Sequence, residues 1–402
     1  MENARRRALL ALALPAATAW CRPLLAQTKP DTGTATQGTA PAGTAVPPAV
    51  TLPPATPPGA PSSPSSPSSP SAATPPAAAD PAATTAKTAT ADEGADLPGD
   101  RKLATAANAT DHPPIGPGAK GAAALRAQIL LDRALFSQGE IDGSYGRFTQ
   151  RAVAAFQESR GLSSSGRVDR ETWAALVEVA GEAPVLTRYE ISADDVKGPF
   201  AEVPDDMQAK AKLPRLGYAS PLEGLAEKFH ASPVLLRKLN PGVAFDRAGT
   251  ALLVPSVTPA GTLPKARSVR VSKAERALRA LDAQGRLVAY FPVTIGSERH
   301  DPLPLGTWKI RTIALDPKYY YNPKRFWEAD PKAAKAVLAP GPNNPVGVAW
   351  LDLSKENYGI HGSAKPGTIG RSASHGCVNL TNWDVTRLAK MVEAGTEAVF
   401  TA

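Results

Sequence analysis

The chain has 402 residues, with 45 Lys and Arg against 37 Asp and Glu, a net charge of +8. That length allows two or three domains. So small a basic excess, with no nucleic-acid motif in the chain, suits an acidic polymer at least as well as nucleic acid. Only two cysteines occur, Cys21 and Cys377, so no disulfide framework is expected.

Residues 1–26 read as an export signal. Arg5, Arg6 and Arg7 precede an apolar run from Ala8 to Ala19, and "LLAQ" offers cleavage after Ala26. The run is too short to span a membrane and Pro15 interrupts it. Trp20 stands where a lipid anchor on Cys21 needs a small residue. Residues 27–118 are dominated by Ala, Pro, Thr, Ser and Gly, including "PSSPSSPSSPS". Such a stretch buries too little apolar surface to offset its ordering entropy and is expected to be a disordered tether. At about 3.1 Å per residue it reaches on the order of 270 Å when fully extended. No other apolar run is long enough to cross a membrane. Once the leader is removed, Cys377 is the only cysteine of an exported chain.

Residues 119–181 carry three helical patterns. Leu125, Ile129, Leu135 and Phe136 share one face, Val153 and Phe156 another, and Trp173, Leu176 and Val177 a third. Asp169 is placed to cap the third helix. The stretch "IDGSYGRFTQRAVAAFQESRGLSSSGRVDRETWAAL" resembles the peptidoglycan-binding domain family. The resemblance implies a small three-helix bundle that binds glycan or stem peptide, with docking onto a neighbouring domain as the alternative.

Residues 185–260 read as helix, turn, helix and a short apolar strand. Both helices open on Ser-Pro, with Glu223 in the first turn of the first. "LAEKFHASPVLLRKLNP" and "AGTALLVP" resemble a degenerate LysM module, a glycan-binding βααβ unit, although "SPLEGL" stands in place of its usual "GDTL". His230 is expected at a helix end facing solvent, with no partner spacing for a metal.

Residues 265–402 change period. "SVRVSKAERALRALDAQGRLVAYFPVTIG" alternates around Gln284-Gly285, "GTWKIRTIAL", "VGVAWLDLS", "YGIHG" and "EAVFT" are further strands, and "NWDVTRLAKMVEAG" is a helix. The pattern predicts a mainly-β sandwich or barrel. The whole chain is thus expected to be multidomain α+β, with a small three-helix bundle and a βααβ-like module upstream of a β-sandwich.

The stretch "IHGSAKPGTIGRSASHGCVNL" places His361, His375 and Cys377 within 17 residues. A thiolate needs a histidine, positive potential or a helix N-terminus nearby, and all three are in reach here. The amides of His375, Gly376 and Cys377 are candidates for an oxyanion hole. On residue types alone three readings stay open: a nucleophile, a buried structural cysteine, and a zinc site of His361, His375 and Cys377.

The same stretch resembles the L,D-transpeptidase (YkuD-like) catalytic domain, by "HG", a variable loop, then "SHGCV"; "VTIGSERHDPLPLGTWKI" looks like its approach strands. The resemblance implies Cys377 as nucleophile and His361 as proton donor and acceptor, its ring held near Gly362. It implies His375, Gly376 and Ser374 as oxyanion or supporting residues, and Tyr358, Arg371 and Asn379 as substrate contacts. Many members carry arginine where this chain has Asn379, and "TPxG" where it has Pro302 to Gly306. Acylation is expected to vary with pH through the His361–Cys377 pair. The implied activity is a peptidoglycan L,D-transpeptidase making 3→3 cross-links through a thioester, with no metal or cofactor. L,D-carboxypeptidase action, attachment of protein to the wall and a non-catalytic wall-binding role are the alternatives. Implied partners are stem peptides and glycan, with carbapenems acylating Cys377 and no nucleic acid. The implied location is the periplasm, at the wall. "KYYYNPKRFWEADPKAAKAVLAPGPNNP" reads as a lid, or as an insertion packed by its own aromatics.

Overall fold

The computed structural model describes residues 97–330 and 332–402. The export signal and the tether up to residue 96 lie outside the described residues. No helix among the described residues is long and apolar enough to cross a membrane.

The chain is already helical at α1 (Arg101–Asn108), inside the stretch expected to be tether. Asp100 caps it by accepting from Leu103 N at 3.0 Å. Ala104 and Ala107 are fully buried. Asn108 makes paired 2.9 Å bonds with the Leu186 backbone. An alanine face has no periodic signature in an alanine-rich sequence, and it orders only because another element covers it. The tether therefore stops before Arg101. The expected three-helix bundle follows as α2 (Ala122–Arg133), α3 (Arg147–Ser159) and α4 (Arg170–Ala180). Its core holds Leu125, Ile129, Phe156 and Leu176, all within 1% of full burial. Each contributes about 1.5–3 kcal/mol of apolar transfer.

The second unit pairs β1 (Leu186–Glu190) antiparallel with β2 (Ala251–Pro255), Leu186 opposite Pro255. Between them run α5 (Met207–Ala211), α6 (Pro221–Lys228) and α7 (Pro233–Leu239). Ser220 and Ser232 cap α6 and α7 as their Ser-Pro starts predict. The order is βααβ with an insertion at 191–220. Asn240 ties the end of α7 to β2 through both its amide atoms, at 2.9 and 2.7 Å.

The third unit is an eight-stranded curled sheet in the order β11-β10-β9-β6-β12-β3-β4-β5. Its strands are β3 (Ser268–Ser272), β4 (Ala277–Leu281), β5 (Leu287–Pro292), β6 (Gly306–Leu315), β9 (Ala349–Leu353), β10 (Gly359–His361), β11 (Val378–Asn379) and β12 (Glu397–Thr401). The helix α8 (Asn382–Met391) packs on it, and Leu278, Phe291, Ile310, Leu351, Ile360 and Val378 are fully buried beneath. The result is the mixed α+β architecture with a β-sandwich. Outside this sheet, β7 (Tyr319–Tyr321) and β8 (Ala336–Leu338) form a hairpin. Its Tyr321 and Leu338 share a small core with Leu216 of the insertion between β1 and α6.

All three units meet on α8. Arg387 donates to Asp132 of α2 at 2.8 Å, and Asp384 accepts from Ser137 at 2.8 Å. His230 is not at the surface. It is 9% exposed, stacks on Trp383 at 5.0 Å and bonds Asp132 at 3.0 Å. Trp383 of α8 and Asp132 of α2 cover the helix end it occupies. Burial would raise Asp132, but Arg387 and His230 outweigh it and hold the carboxyl at about 2. Asp384 is pushed up to about 7 by burial despite Arg387.

Candidate active site

β10 and β11 run parallel, with Ile360 opposite Val378 and His361 opposite Asn379. Side chains alternate faces along a strand. Ile360 and Val378 enter the core, so His361 and Asn379 share the other face, and Cys377, two residues before Asn379, joins them. The sequence fold places the pair this way because apolar residues at 360 and 378 fix the register. Trp350, opposite His361 on β9, stacks on its ring at 5.3 Å and 18°.

His361 is 5% exposed, and its Nδ1 lies 2.7 Å from the Gly362 carbonyl. A carbonyl only accepts, so Nδ1 carries the hydrogen and Nε2 presents a lone pair. Burial holds the ring at about 4, the Gly362 carbonyl opposing only in part. Burial pushes the Cys377 thiol up to about 11; the Gly359 amide lowers it and Asp301 raises it further. Both groups are therefore neutral at rest, not a thiolate–imidazolium pair. The helix N-terminus anticipated beside Cys377 is displaced by β11 and capped by Thr381, which accepts from Asp384 N at 3.2 Å. The pH dependence expected from the pair moves accordingly to the outer limbs of the range.

The loop before Cys377 is stitched to the segment 294–296. Ser374 N donates to Ile295 O at 2.8 Å, and Thr294 and Asn379 exchange backbone bonds at 2.9 and 2.8 Å. Ser374 Oγ donates to the Cys377 carbonyl at 2.6 Å. Gly376 has φ +96°, and a Cβ there would sit 2.8 Å from Tyr358 Cε1. Gly296 backs the same spot: its Cβ would lie 2.7 Å from Gly376 Cα. The amides of His375, Gly376 and Cys377 make no hydrogen bond among the described residues. This turn is therefore an available donor cluster next to the sulfur.

His375 is exposed and held elsewhere. Its ring lies 2.8 Å from Glu328 and 3.3 Å from Asp301, with Phe326 edge-on at 4.9 Å. It does not converge with His361 and Cys377 on a metal position, and no cluster among the described residues could hold a metal ion. The β7–β8 excursion combines both readings of that segment. It packs on its own aromatics, Tyr321 against Phe326 at 5.3 Å, and it also walls the site through Glu328 and Phe326. Trp327 stacks on His300 at 4.0 Å across the same edge. Tyr358 packs against the Gly376 turn beside Cys377, and burial raises the phenols of both Tyr319 and Tyr358.

Asn379 Oδ1 is buried with no partner, on the face shared by His361 and Cys377. Arg371, expected as a substrate contact, lies beside the three-helix domain. Its guanidinium lies 5.5 Å from the Phe148 ring of the three-helix domain. The intervening loop swings toward α3 because Gly370 packs on Phe148, where a Cβ would meet the ring at 2.5 Å. Tyr319, Asp301 and Trp350 escape the sequence reading, since each belongs to a strand or loop distant from the motif. Asn382, at the start of α8 five residues after Cys377, also goes unread, because its role is tertiary: its Oδ1 would lie 2.3 Å from a Cβ on Gly362, and its amide donates to Glu227 at 3.0 and 3.1 Å.

A curled sheet with a neutral imidazole and a thiol on one face, beside free amides, defines a candidate acyl-transfer site. The family model for the L,D-transpeptidase catalytic domain matches residues 266–400, and that for "Putative peptidoglycan binding domain" matches 120–176. "Putative L,D-transpeptidase YkuD" of Bacillus licheniformis is 31% identical over 184 residues, covering 45% of this chain and 93% of that protein. Its Bacillus subtilis namesake is 30% identical over 177 residues, 44% of this chain and 90% of its own. These shares exceed what residues 266–400 alone can hold, so both matches also reach upstream into the α6–α7 module. A solved L,D-transpeptidase from Xylanimonas cellulosilytica aligns over 72% of this chain and 98% of its own at 17% identity and TM-score 0.30, and the assignment does not rest on it. The chain belongs to the L,D-transpeptidase family and carries a peptidoglycan-binding domain upstream of the catalytic one.

Proposed function

We propose that the protein is an exported, wall-associated L,D-transpeptidase that forms 3→3 cross-links through a cysteinyl thioester. The observation that carries this reading is the His361 Nδ1–Gly362 bond, on the strand face shared with Cys377. It leaves Nε2 as an acceptor while both groups are neutral. In the proposed reaction Cys377 Sγ attacks the carbonyl of the third, diamino-acid residue of a stem tetrapeptide as its proton passes to His361. The amides of His375, Gly376 and Cys377 stabilise the oxyanion. His361 then protonates the departing terminal D-alanine amine, and the thioester remains. An amine of a neighbouring stem attacks the thioester, gives its proton to His361, and the thiol is restored. Tyr358 and Asn379 contact the donor peptide, and Ser374 braces the Cys377 carbonyl. No step requires a metal or organic cofactor. The βααβ unit serves as a LysM-like glycan module, and with the three-helix domain it raises the local substrate concentration.

The test has two arms. Intact mass after incubation with a carbapenem should show one adduct, lost in Cys377→Ala. Tetrapeptide-bearing wall should yield cross-linked dimers. An adduct that persists in Cys377→Ala sinks the nucleophile assignment, and trimmed monomers without dimers make water the acceptor.

A further inference from the structure

A cavity of about 350 Å³ lies between the three-helix domain and the loop that joins His361 to Cys377. A second cavity of about 160 Å³, against α6 and Trp383, shares Glu140 and Pro366 with it. The walls of the first come from the three-helix domain and the catalytic unit, and those of the second add the α6–α7 module. Two buried polar atoms of residues that line these cavities lack partners. Gln138 is 5% exposed, and its Oε1 has no hydrogen-bond partner. Trp383, which lines the second cavity, is 7% exposed, and its Nε1 donor is likewise unpartnered. Native interiors rarely leave such groups unsatisfied unless a ligand or water completes them.

The charges are arranged in two opposed poles. Glu140 is half-buried and accepts no hydrogen bond among the described residues; burial raises its carboxyl and Arg371 opposes. Arg371 and Arg147 place their guanidinium carbons 5.5 and 4.8 Å from the same Phe148 ring and make no ion pair among the described residues. Guanidinium groups held on an aromatic ring keep their in-plane donors free for a carboxylate. Glu140, Arg147 and Arg371 thus line one cavity, and Glu140 closes a salt bridge with neither arginine among the described residues.

We propose that this interdomain cavity is a binding subsite for a peptide segment that carries both a free amine and a carboxylate, the amine on Glu140 and the carboxylate on Arg371 and Arg147. The second cavity, against α6 and Trp383, admits the extension of the chain. That the segment is a stem peptide of the wall rests on the function proposed above. The subsite would hold that stem beside the loop between the two reacting residues, raising its effective concentration there. Sugar hydroxyls need no such separated charges, which favours peptide over glycan.

The test uses the full chain with Cys377→Ala, so that no acylation occurs. It is titrated with a stem tetrapeptide, with the same peptide acetylated on its free amine, and with a wall disaccharide lacking peptide. Acetylation should weaken binding by about tenfold or more. Adding Glu140→Gln should abolish that discrimination, leaving both peptides within about twofold of each other. Should Glu140→Gln unfold the chain, Arg371→Gln with a carboxyl-amidated peptide reads the opposite pole. Discrimination that survives Glu140→Gln, or disaccharide binding that matches the peptide, overturns the subsite. Carbapenem acylation of the unsubstituted chain separates the two readings. An adduct without charge-selective binding removes the subsite alone, and charge-selective binding without an adduct removes the transpeptidase reading alone.

Discussion

His361 donates through Nδ1 to the carbonyl of the very next residue, Gly362, at 2.7 Å. The contact needs no partner from elsewhere in the chain, yet it fixes the tautomer and aims Nε2 at the face that carries Cys377. Burial keeps that imidazole at about 4 and the thiol at about 11.

A broad plateau in acylation rate follows. His361 is an unprotonated base above about 4 and Cys377 a thiol below about 11. Carbapenem acylation should be level from roughly pH 5 to 9 and fall on the acid side as His361 takes a proton. In His361→Ala the rate should drop about 10²–10⁴-fold and climb with pH, because only free thiolate then reacts. A tenfold rise per pH unit in the unsubstituted protein would mean a lone thiolate and no base.

Gly376→Ala should slow acylation sharply. The position has φ +96°, and the new methyl would meet Tyr358 at 2.8 Å. A left-handed conformation costs an L-residue about 1–2 kcal/mol before any clash, so a loss of about tenfold or more is expected. An unchanged rate would show that the amides of this turn do not bear on the reaction.

Asn382→Ala tests whether the module supports the site at a distance. The Asn382 amide links Glu227 of α6, the Pro342 carbonyl and Val348 N at 3.0–3.2 Å, against Gly362. Removing it strands buried partners at a cost of about 1–3 kcal/mol. Thermal unfolding should come earlier, and the acylation rate at saturating carbapenem should fall while half-saturation changes little. A shift in half-saturation alone would place Asn382 in binding and not in positioning.

Asp384→Asn should gain on the unsubstituted protein as pH rises. Burial lifts Asp384 to about 7, and an acid raised on folding stabilises the fold below its unfolded value and loses that contribution as pH climbs through the folded one. Glu227, also raised to about 7 by burial, behaves alike, whereas His361 and His230 are lowered and act in the opposite sense on the acid side. Comparison with the variant isolates Asp384. The difference in melting temperature should widen in favour of Asn between pH 5 and 8, each pKa unit being worth about 1.4 kcal/mol. A gap independent of pH would mean that Asp384 does not titrate in this window.

The motif residues were legible because their neighbours are local. His361 finds its orienting carbonyl one residue on, and Cys377 follows a glycine that only one backbone conformation explains. The strands β3, β9 and β12 show the period-two pattern, and the capped helices show their Ser-Pro and Asp starts. The hairpin β7–β8 and the two-residue β11 were not legible, since strands that short carry no period. Nor was α1, whose alanine face looks like the tether that precedes it.

Sequence alone determined the order of the units and the chemistry concentrated between His361 and Cys377, because periodicity, capping and a contiguous motif are encoded over a few residues. Tertiary structure alone decided that Arg371 turns toward Phe148, that His230 leaves solvent for Asp132 and Trp383, and that Gln138, Glu140 and Arg371 enclose a common cavity. Those placements depend on how α8 gathers three units around one buried junction. Contacts between residues about a hundred or more positions apart leave no trace in the local pattern of either partner.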